Sequence, residues 1–159
     1  MRVGIGYDVH RLAPEQLLIL GGVEIPAKLG LIGWSDADVL THAVIDALLG
    51  AAALGDIGKY FSPGDPQYKN ISSLVLLTRV RDMLAEKGWR VVNVDATIVA
   101  EQPKLTDYIA QMCGKLSKTI GMEEDCVSVK ASTSEQLGFT GREEGMAAWV
   151  VALITKDGE

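Results

Sequence analysis

Residues 38–53 read Asp38-Val39-Leu40-Thr41-His42-Ala43-Val44-Ile45-Asp46-Ala47-Leu48-Leu49-Gly50-Ala51-Ala52-Ala53. The apolar side chains recur at three- and four-residue spacing, which is the period of a helix with one buried face. A Ser or Asp before Val39 supplies the usual N-cap. The pattern therefore predicts a helix over about residues 38–53.

The segments around this helix predict strands and further helices. Residues 2–11 alternate as a strand does, and residues 17–25 are typical of two short strands around the Gly21-Gly22 turn. Later segments predict helices at about 72–87 and 105–120 and strands at 89–99, 126–131 and 146–155, with a loop at 60–70. We expect one domain over residues 1–159, built as a sheet with helices packed on it.

Composition excludes several classes of protein. Hydrophobic residues make up 48% and charged residues 23% of the 159 residues, and the net charge is −6. An acidic chain with no polybasic stretch is not expected to bind nucleic acid or a membrane, and its apolar runs are too short to span a bilayer. The N-terminus lacks the features of a signal peptide, and the two cysteines lack paired spacing. We expect a cytoplasmic protein with reduced thiols, or a plastid protein after removal of a transit peptide.

Two polar patterns point to one metal site. Asp8 and His10 are two residues apart on the predicted first strand, so both face the same side of the sheet. On the helix, Asp38, His42 and Asp46 follow each other at four-residue spacing and predict a polar stripe that faces the same point. Asp8, His10 and His42 form the set of nitrogen and oxygen ligands that is typical of a catalytic zinc site with an open position.

The same residues allow simpler interpretations. Asp8 and His10 are equally consistent with a hydrogen-bonded pair, and Asp38 and Asp46 with solvated charges. Asp46 is also a candidate to accept the free ring N–H of a ligating histidine and fix its tautomer. The spacing alone leaves these alternatives open.

A longer series of motifs runs through the whole chain in order. Its members are Gly6-Tyr7-Asp8-Val9-His10, Ser35-Asp36-Ala37-Asp38-Val39 with His42, the run at 46–58, and the segments 100–104, 130–135 and 137–142. In this series the chain resembles the 2-C-methyl-D-erythritol 2,4-cyclodiphosphate synthase family.

The resemblance implies an α+β protomer, with a mixed β-sheet carrying helices on one face, that assembles into a homotrimer with active sites between subunits. It implies a lyase of the non-mevalonate isoprenoid pathway that converts the CDP-linked substrate 4-diphosphocytidyl-2-C-methyl-D-erythritol 2-phosphate into the 2,4-cyclodiphosphate and CMP. In this reaction the substrate's 2-phosphate attacks its own β-phosphate, so the protein supplies positioning and charge neutralisation.

The resemblance also implies roles for particular residues. Asp8, His10 and His42 would hold Zn²⁺ or another divalent cation, and Glu135 a second ion, Mg²⁺ or Mn²⁺. Thr133 would stabilise the transition state. The remaining implied substrate contacts are Ser35, Asp56, Ile57, Gly58, Phe61 and Asp65 around the erythritol and phosphates, Ala100, Lys104 and Leu105 around cytidine, and Ser132, Thr133 and Ser134 on the phosphate side. Phe139 and Arg142, with Glu144, would surround a channel on the trimer axis that holds an isoprenoid diphosphate.

Position 34 departs from the family pattern. The family usually has a histidine there, which assists the transition state, whereas this chain has Trp34. An indole donates one hydrogen bond but carries no charge and does not titrate near neutral pH, so the catalytic role cannot be carried over unchanged. We expect Trp34 to close the pocket or to stack, and the enzyme to be active but slower.

Two other functions are compatible with these residues. A zinc hydrolase would use a metal-bound hydroxide and would incorporate water into its product. A binding protein without catalytic activity would use the region of Phe139 and Arg142 to hold an isoprenoid diphosphate, with no need for a metal.

Overall fold

The computed structural model describes residues 1–156 as a five-stranded sheet, a two-stranded hairpin and surrounding helices. The strands are β1 (Arg2–Ala13), β2 (Leu18–Leu20), β3 (Val23–Ile25), β4 (Gly30–Leu31), β5 (Trp89–Val99), β6 (Val127–Ser132) and β7 (Gly145–Lys156). The helices are α1 (Val39–Ala51), α2 (Ile57–Tyr60), α3 (Ser73–Glu86), α4 (Ile109–Ile120) and α5 (Gly138–Gly141). Residues 157–159, the end of the predicted domain, lie outside the described residues.

The large sheet is mixed. Its strand order is β4-β1-β7-β5-β6, in which β5 and β6 run parallel and the other neighbours run antiparallel. Three helices pack on one face of this sheet. Helix α1 lies against β1 and β7, α3 lies against β5, and α4 lies against β6. This confirms the predicted α+β class with helices on a mixed sheet. Among the described residues, no helix is both long enough and apolar enough to cross a membrane.

Two glycines let α1 approach β1 very closely. A Cβ atom on Gly4 would lie 2.0 Å from the carbonyl oxygen of Ala47, and one on Gly6 would lie 1.9 Å from that of Ala43. Any side chain at these positions would push the helix off the strand. The contact therefore fixes α1 over the strand that continues to Asp8 and His10.

Asp38 corrects the predicted polar stripe. It is fully buried as the N-cap of α1, and its carboxylate accepts hydrogen bonds from the N–H groups of Gly21, Gly22 and Thr41 and from the Thr41 hydroxyl, at 2.7–2.9 Å. The interpretation of Asp38 as a solvated charge, or as one facing the metal point, is wrong. The reason is that the four-residue spacing holds inside a helix, whereas the cap residue has non-helical backbone angles.

The other element bounds differ modestly from the prediction. The helix expected from residue 105 begins as a 3₁₀ turn at Thr106–Tyr108 and becomes α-helical only at Ile109. It ends as predicted at Gly121, which adopts the left-handed conformation with φ of 83°. The expected loop at 60–70 contains a 3₁₀ turn over Pro66–Tyr68.

The face of the sheet opposite the helices is apolar and uncovered. Tyr7 and Trp149 pair across β1 and β7 with ring centroids 4.4 Å apart. Each residue of the row is 41–67% exposed: Val3, Ile5, Tyr7, Val9, Trp149 and Val151. A contiguous exposed apolar patch of this kind is typical of a protein interface.

Candidate metal centre and surrounding cavity

Asp8, His10 and His42 converge on one point between β1 and α1. Asp8 and His10 follow Gly4 and Gly6 on the helix-facing side of β1, which confirms that they share a face. Asp8 Oδ2 lies 2.9 Å from His10 Nε2 and 3.0 Å from His42 Nδ1, and the two ring nitrogens are 3.1 Å apart. These three atoms are positioned to hold one metal ion.

Hydrogen bonds of the other ring nitrogens assign both tautomers. His10 Nδ1 lies 2.8 Å from the carbonyl oxygen of Ile32, which can only accept, so Nδ1 carries the proton. His42 Nε2 lies 2.8 Å from Ser73 Oγ, and that hydroxyl donates its own proton to Asp36. The Ser73 oxygen is therefore an acceptor for His42 Nε2–H. In its neutral form each histidine therefore directs an unprotonated nitrogen at Asp8, which is the form that binds metal, whereas a ring protonated on both nitrogens donates a hydrogen bond to the Asp8 carboxylate.

The electrostatics of the cluster favour a cation. Burial acts to raise the pKa of Asp8, but hydrogen bonds and charges from His10 and His42 together outweigh burial and lower the pKa from 3.8 to about 2. Burial likewise acts to lower the pKa of His10, and the Asp8 carboxylate, the Ile32 carbonyl and the Asp38 charge together outweigh it and raise that pKa above 6.5. Asp8 is thus an anion throughout the neutral range, and its field attracts positive charge to the site.

A cavity of about 290 Å³ opens beside the cluster. Five further residues that were predicted to form the site line it: Trp34, Ser35, Ile57, Gly58 and Phe61. Pro63, Tyr68 and Leu76 complete the wall. A larger cleft of about 420 Å³, lined by residues that include Lys28 and Pro103, does not include the cluster, so the donor atoms rather than volume identify the candidate site.

Asp56 and Asp65 organise the loop around this cavity. Asp56 caps α2 by accepting from the N–H of Lys59 at 3.0 Å. Asp65 accepts from both the backbone N–H and the side-chain amide of Gln67, and its carbonyl oxygen accepts from the indole N–H of Trp34 at 2.8 Å. Phe61 packs edge-to-face on Tyr68 with centroids 5.5 Å apart.

The remaining predicted contacts form a second cluster at the carboxyl ends of β5 and β6. The N–H of Ala100 donates to the carbonyl oxygen of Ser132 at 3.0 Å, and the Thr133 hydroxyl donates to Glu135 at 3.2 Å. Ser134 is held by the carboxylate of Glu101, which accepts its N–H at 2.9 Å. Lys104 is exposed and Leu105 is buried in the same region.

The two clusters are separated within one chain. One row of paired residues crosses the sheet from Asp8 through Ala148 and Ile98 to Ala131, next to Ser132. From β1 to β6 this row crosses three gaps between neighbouring strands, which together span roughly 14 Å. Glu135 accordingly is not part of the donor cluster at Asp8.

The predicted contact between Asp46 and a histidine is wrong. Asp46 Oδ1 instead accepts the N–H of Ile57 at 2.8 Å and so fastens the start of α2 to α1. The ring of His42 is oriented by Ser73 and by Ser35, whose Oγ lies 3.0 Å from Nε2. Sequence reasoning missed Ser73 because its contact with His42 spans 31 positions along the chain.

The predicted channel residues do not line the cavity beside the metal donors. Phe139 is 38% exposed on α5. The Arg142 guanidinium pairs with both carboxylate oxygens of Glu144, at 3.0 and 3.3 Å, on the protein surface.

Comparison with known proteins gives a consistent assignment. Residues 1–155 match the model of the YgbB family. The chain is 67% identical to the 2-C-methyl-D-erythritol 2,4-cyclodiphosphate synthase of Dehalococcoides mccartyi strain CBDB1 over 97% of this chain and 98% of the relative. It is 56% identical to the synthase of the same name from Thermosynechococcus vestitus over 97% of this chain and 96% of the relative.

Solved structures share the fold. The bifunctional IspDF of Campylobacter jejuni superposes with a TM-score of 0.94 at 40% identity over 98% of this chain, which spans 42% of that longer protein. The CDP complex of IspF from Plasmodium falciparum superposes with a TM-score of 0.86 at 30% identity, over 98% of this chain and 96% of that one. With its full described fold, its ordered motifs and its near-complete family match, the chain belongs to the YgbB family.

Proposed function

We propose that this chain is a 2-C-methyl-D-erythritol 2,4-cyclodiphosphate synthase. It converts 4-diphosphocytidyl-2-C-methyl-D-erythritol 2-phosphate into the cyclic diphosphate and CMP, a step of non-mevalonate isoprenoid biosynthesis. The observation that carries the proposal is the Asp8, His10 and His42 cluster beside a cavity, in a chain 67% identical to a synthase of that name over nearly its whole length.

The donor cluster fits zinc. Tetrahedral zinc with bonds of about 2.0–2.1 Å places neighbouring ligand atoms about 3.3 Å apart. The three observed separations are 2.9–3.1 Å, and the ligand atoms are two imidazole nitrogens and one carboxylate oxygen. Held by Asp8, His10 and His42, the ion would supply Lewis-acid polarisation of a phosphoryl oxygen.

The reaction needs no nucleophile from the protein. An oxygen of the substrate's 2-phosphate forms a bond to the β-phosphorus while the bond from that phosphorus to the bridging oxygen breaks, and CMP leaves with the electron pair. The protein must hold both ends of the substrate in line and neutralise charge. Ile57, Gly58 and Phe61 suit the first task because they line the cavity beside the metal donors.

The second cluster is proposed to bind the other half of the substrate. Ala100, Lys104 and Leu105 would contact cytidine, and Ser132, Thr133 and Ser134 the phosphates. Glu135 is exposed, and its carboxylate accepts a hydrogen bond from the Thr133 hydroxyl. This carboxylate would bind a second cation, Mg²⁺ or Mn²⁺, whose coordination the substrate phosphates would complete. Thr133 would then donate to the phosphate where charge develops.

A homotrimer would join the two clusters. Roughly 14 Å separates them within one chain, so one diphosphate does not reach from the metal donors to Thr133 of the same subunit. The apolar row that includes Ile5 and Trp149 supplies a surface for subunit contact, which would bring the second cluster of one chain to the metal centre of its neighbour. Phe139 and Arg142 are proposed to line a channel in this assembly that accepts an isoprenoid diphosphate. A cytoplasmic location remains our expectation.

One assay separates this function from the alternatives. Purified protein is incubated with the CDP-linked substrate in ¹⁸O-labelled water, and CMP and the cyclic product are measured by mass spectrometry. We expect both products without ¹⁸O, and we expect a chelator to stop their release. Incorporation of ¹⁸O would indicate a hydrolase, and the absence of CMP with metal bound would contradict the proposed enzyme.

A further inference from the structure

Trp34 forms hydrogen bonds with both ends of the short segment from Asp65 to Asn70. Its indole N–H donates to the carbonyl oxygen of Asp65 at 2.8 Å, and its own carbonyl oxygen accepts the N–H of Asn70 at 2.9 Å. The segment between these two bonds contains the 3₁₀ turn over Pro66–Tyr68. The side chain of Trp34 thus holds the start of the turn, and its backbone holds Asn70, two residues beyond the end of the turn.

This segment and the residues just before it contribute to the wall of the cavity. Tyr68 of the segment lines the cavity together with Phe61 and Pro63. Phe61 and Tyr68 are 9% exposed, and their rings pack edge-to-face, so the two ends of the wall depend on each other. A displacement of the turn at Asp65 would therefore move the surface that faces the metal donors.

The indole has a second polar neighbour on the same segment. Lys69 places its ammonium group 5.9 Å from the centroid of the Trp34 ring, within the range of a cation–π contact. Trp34 is 38% exposed, and its ring is itself part of the cavity wall. The single N–H donor of the indole is occupied by Asp65, which leaves the ring face as its contribution to the cavity.

We propose that Trp34 is a positioning residue that fastens residues 61–68 over the metal centre before substrate arrives. The effect on catalysis rests on the proposed function. The anchor, which is the hydrogen bond from the Trp34 indole to Asp65, is a property of the free protein. A pre-ordered wall lowers the conformational cost of binding, which favours a low KM without contributing charge to the transition state.

The test removes only the donor. Trp34→Phe keeps an aromatic ring in the wall and loses the indole N–H. Hydrogen–deuterium exchange is then measured at single amides in metal-free protein without substrate. The informative amides belong to Asp65, Tyr68 and Lys69, whose N–H groups donate to Ser62, Asp65 and Pro66 within the segment.

We expect these amides to exchange about fivefold faster in the variant, the effect of losing one such hydrogen bond. The Asn70 amide should change less, because it donates to the backbone of residue 34, which the substitution retains. The matched control is Trp89→Phe, since Trp89 lies on β5 between Arg2 and Lys156 and does not line the cavity. It should leave exchange in the segment unchanged.

Steady-state kinetics provide the second readout. We expect KM to rise in Trp34→Phe by no more than about fivefold, while kcat changes less than twofold. Unchanged exchange at Asp65, Tyr68 and Lys69 would overturn the anchor even in a fully active enzyme. Faster exchange in a protein that releases no CMP would uphold the anchor and contradict the proposed function instead.

Discussion

The hydroxyl oxygen of Ser73 lies 2.8 Å from Nε2 of His42 and gives its own proton to the carboxylate of Asp36. Asp36 also accepts the N–H of Ser73 at 2.9 Å, so the serine is held at two points. This chain of contacts fixes the proton of His42 on the nitrogen remote from Asp8. The metal-binding tautomer is thereby set by a residue of α3, outside the donor set itself.

Ser73→Ala should weaken metal binding. The change removes the nearer of the two serine oxygens at His42 Nε2 and leaves Ser35 at 3.0 Å, and contacts that orient a ligand typically contribute 10- to 100-fold in metal affinity. Competition with a fluorescent chelator at pH 7.5 measures the affinity directly. Ser72→Ala is the matched control, because the exposed Ser72 makes no side-chain cap bond, and its affinity should equal that of the parent. Equal affinities in both variants would show that Ser73 does not orient the ligand.

Gly6→Ala should destabilise the fold and the metal site together. A Cβ atom there would meet the backbone of Ala43 at 1.9 Å, so α1 must move away from β1 and carry His42 with it. We expect the free energy of unfolding to fall by about 3 kcal/mol or more. Urea unfolding at one protein concentration tests this. Gly50 lies on the same helix, and the nearest atom to a Cβ there would be the carbonyl oxygen of Ile5 at 3.9 Å, so Gly50→Ala should instead stabilise by about 1 kcal/mol.

Asp46 should make stability depend on pH. Burial raises the pKa of this carboxyl above 3.8, so as the pH rises the unfolded chain loses its proton before the folded one. Between the two pKa values the folded state binds more protons, and the free energy of unfolding therefore decreases with rising pH until the folded pKa is passed. The Asp46→Asn variant keeps a side-chain oxygen that can accept the N–H of Ile57. It has no carboxyl to titrate, so the decrease in the free energy of unfolding with rising pH should disappear.

Urea unfolding of the metal-free parent and Asp46→Asn from pH 4 to 7.5 checks the sign. The variant should gain stability relative to the parent as the pH rises. A relative gain by the parent over this range would mean that the Asp46 carboxylate is stabilised, and not penalised, in the folded state.

Trp34→His should separate catalysis from positioning. An imidazole can carry the positive charge that an indole lacks, so kcat should rise by roughly tenfold or more if the missing contact limits the chemical step. The exchange of the Asp65 amide should rise at the same time, because the indole donor is gone. An unchanged rate of CMP release would show that position 34 does not limit this enzyme.

The fold was largely predictable because its signals are local. The apolar spacing in residues 38–53 and the alternation in residues 2–11 correspond to α1 and β1, and Asp8 and His10 share a face because alternation requires it. What local pattern could not give was which elements meet. The closeness of α1 and β1 depends on Gly4 and Gly6 packing against helix backbone, which no spacing rule identifies.

The supporting residues of the site were harder to predict than its ligands. Asp46 has the helical spacing of a partner for His42, yet α2 offers it a backbone N–H at Ile57. Ser73 and Asp65 have ordinary capping sequences, and their contacts with His42 and Trp34 arise only when α3 and the 3₁₀ turn fold over the cavity. Long-range contacts of this kind leave no periodic trace in the sequence.

The central claim is that one metal-binding cluster, at Asp8, His10 and His42, serves the release of CMP. The most direct test measures bound metal by mass spectrometry and CMP release in the same preparations of the parent and of His42→Ala. We predict one zinc ion per chain and active turnover in the parent, and the loss of both in the variant, because two remaining ligands rarely retain the ion. Full zinc content together with undiminished CMP release in His42→Ala would contradict the assignment.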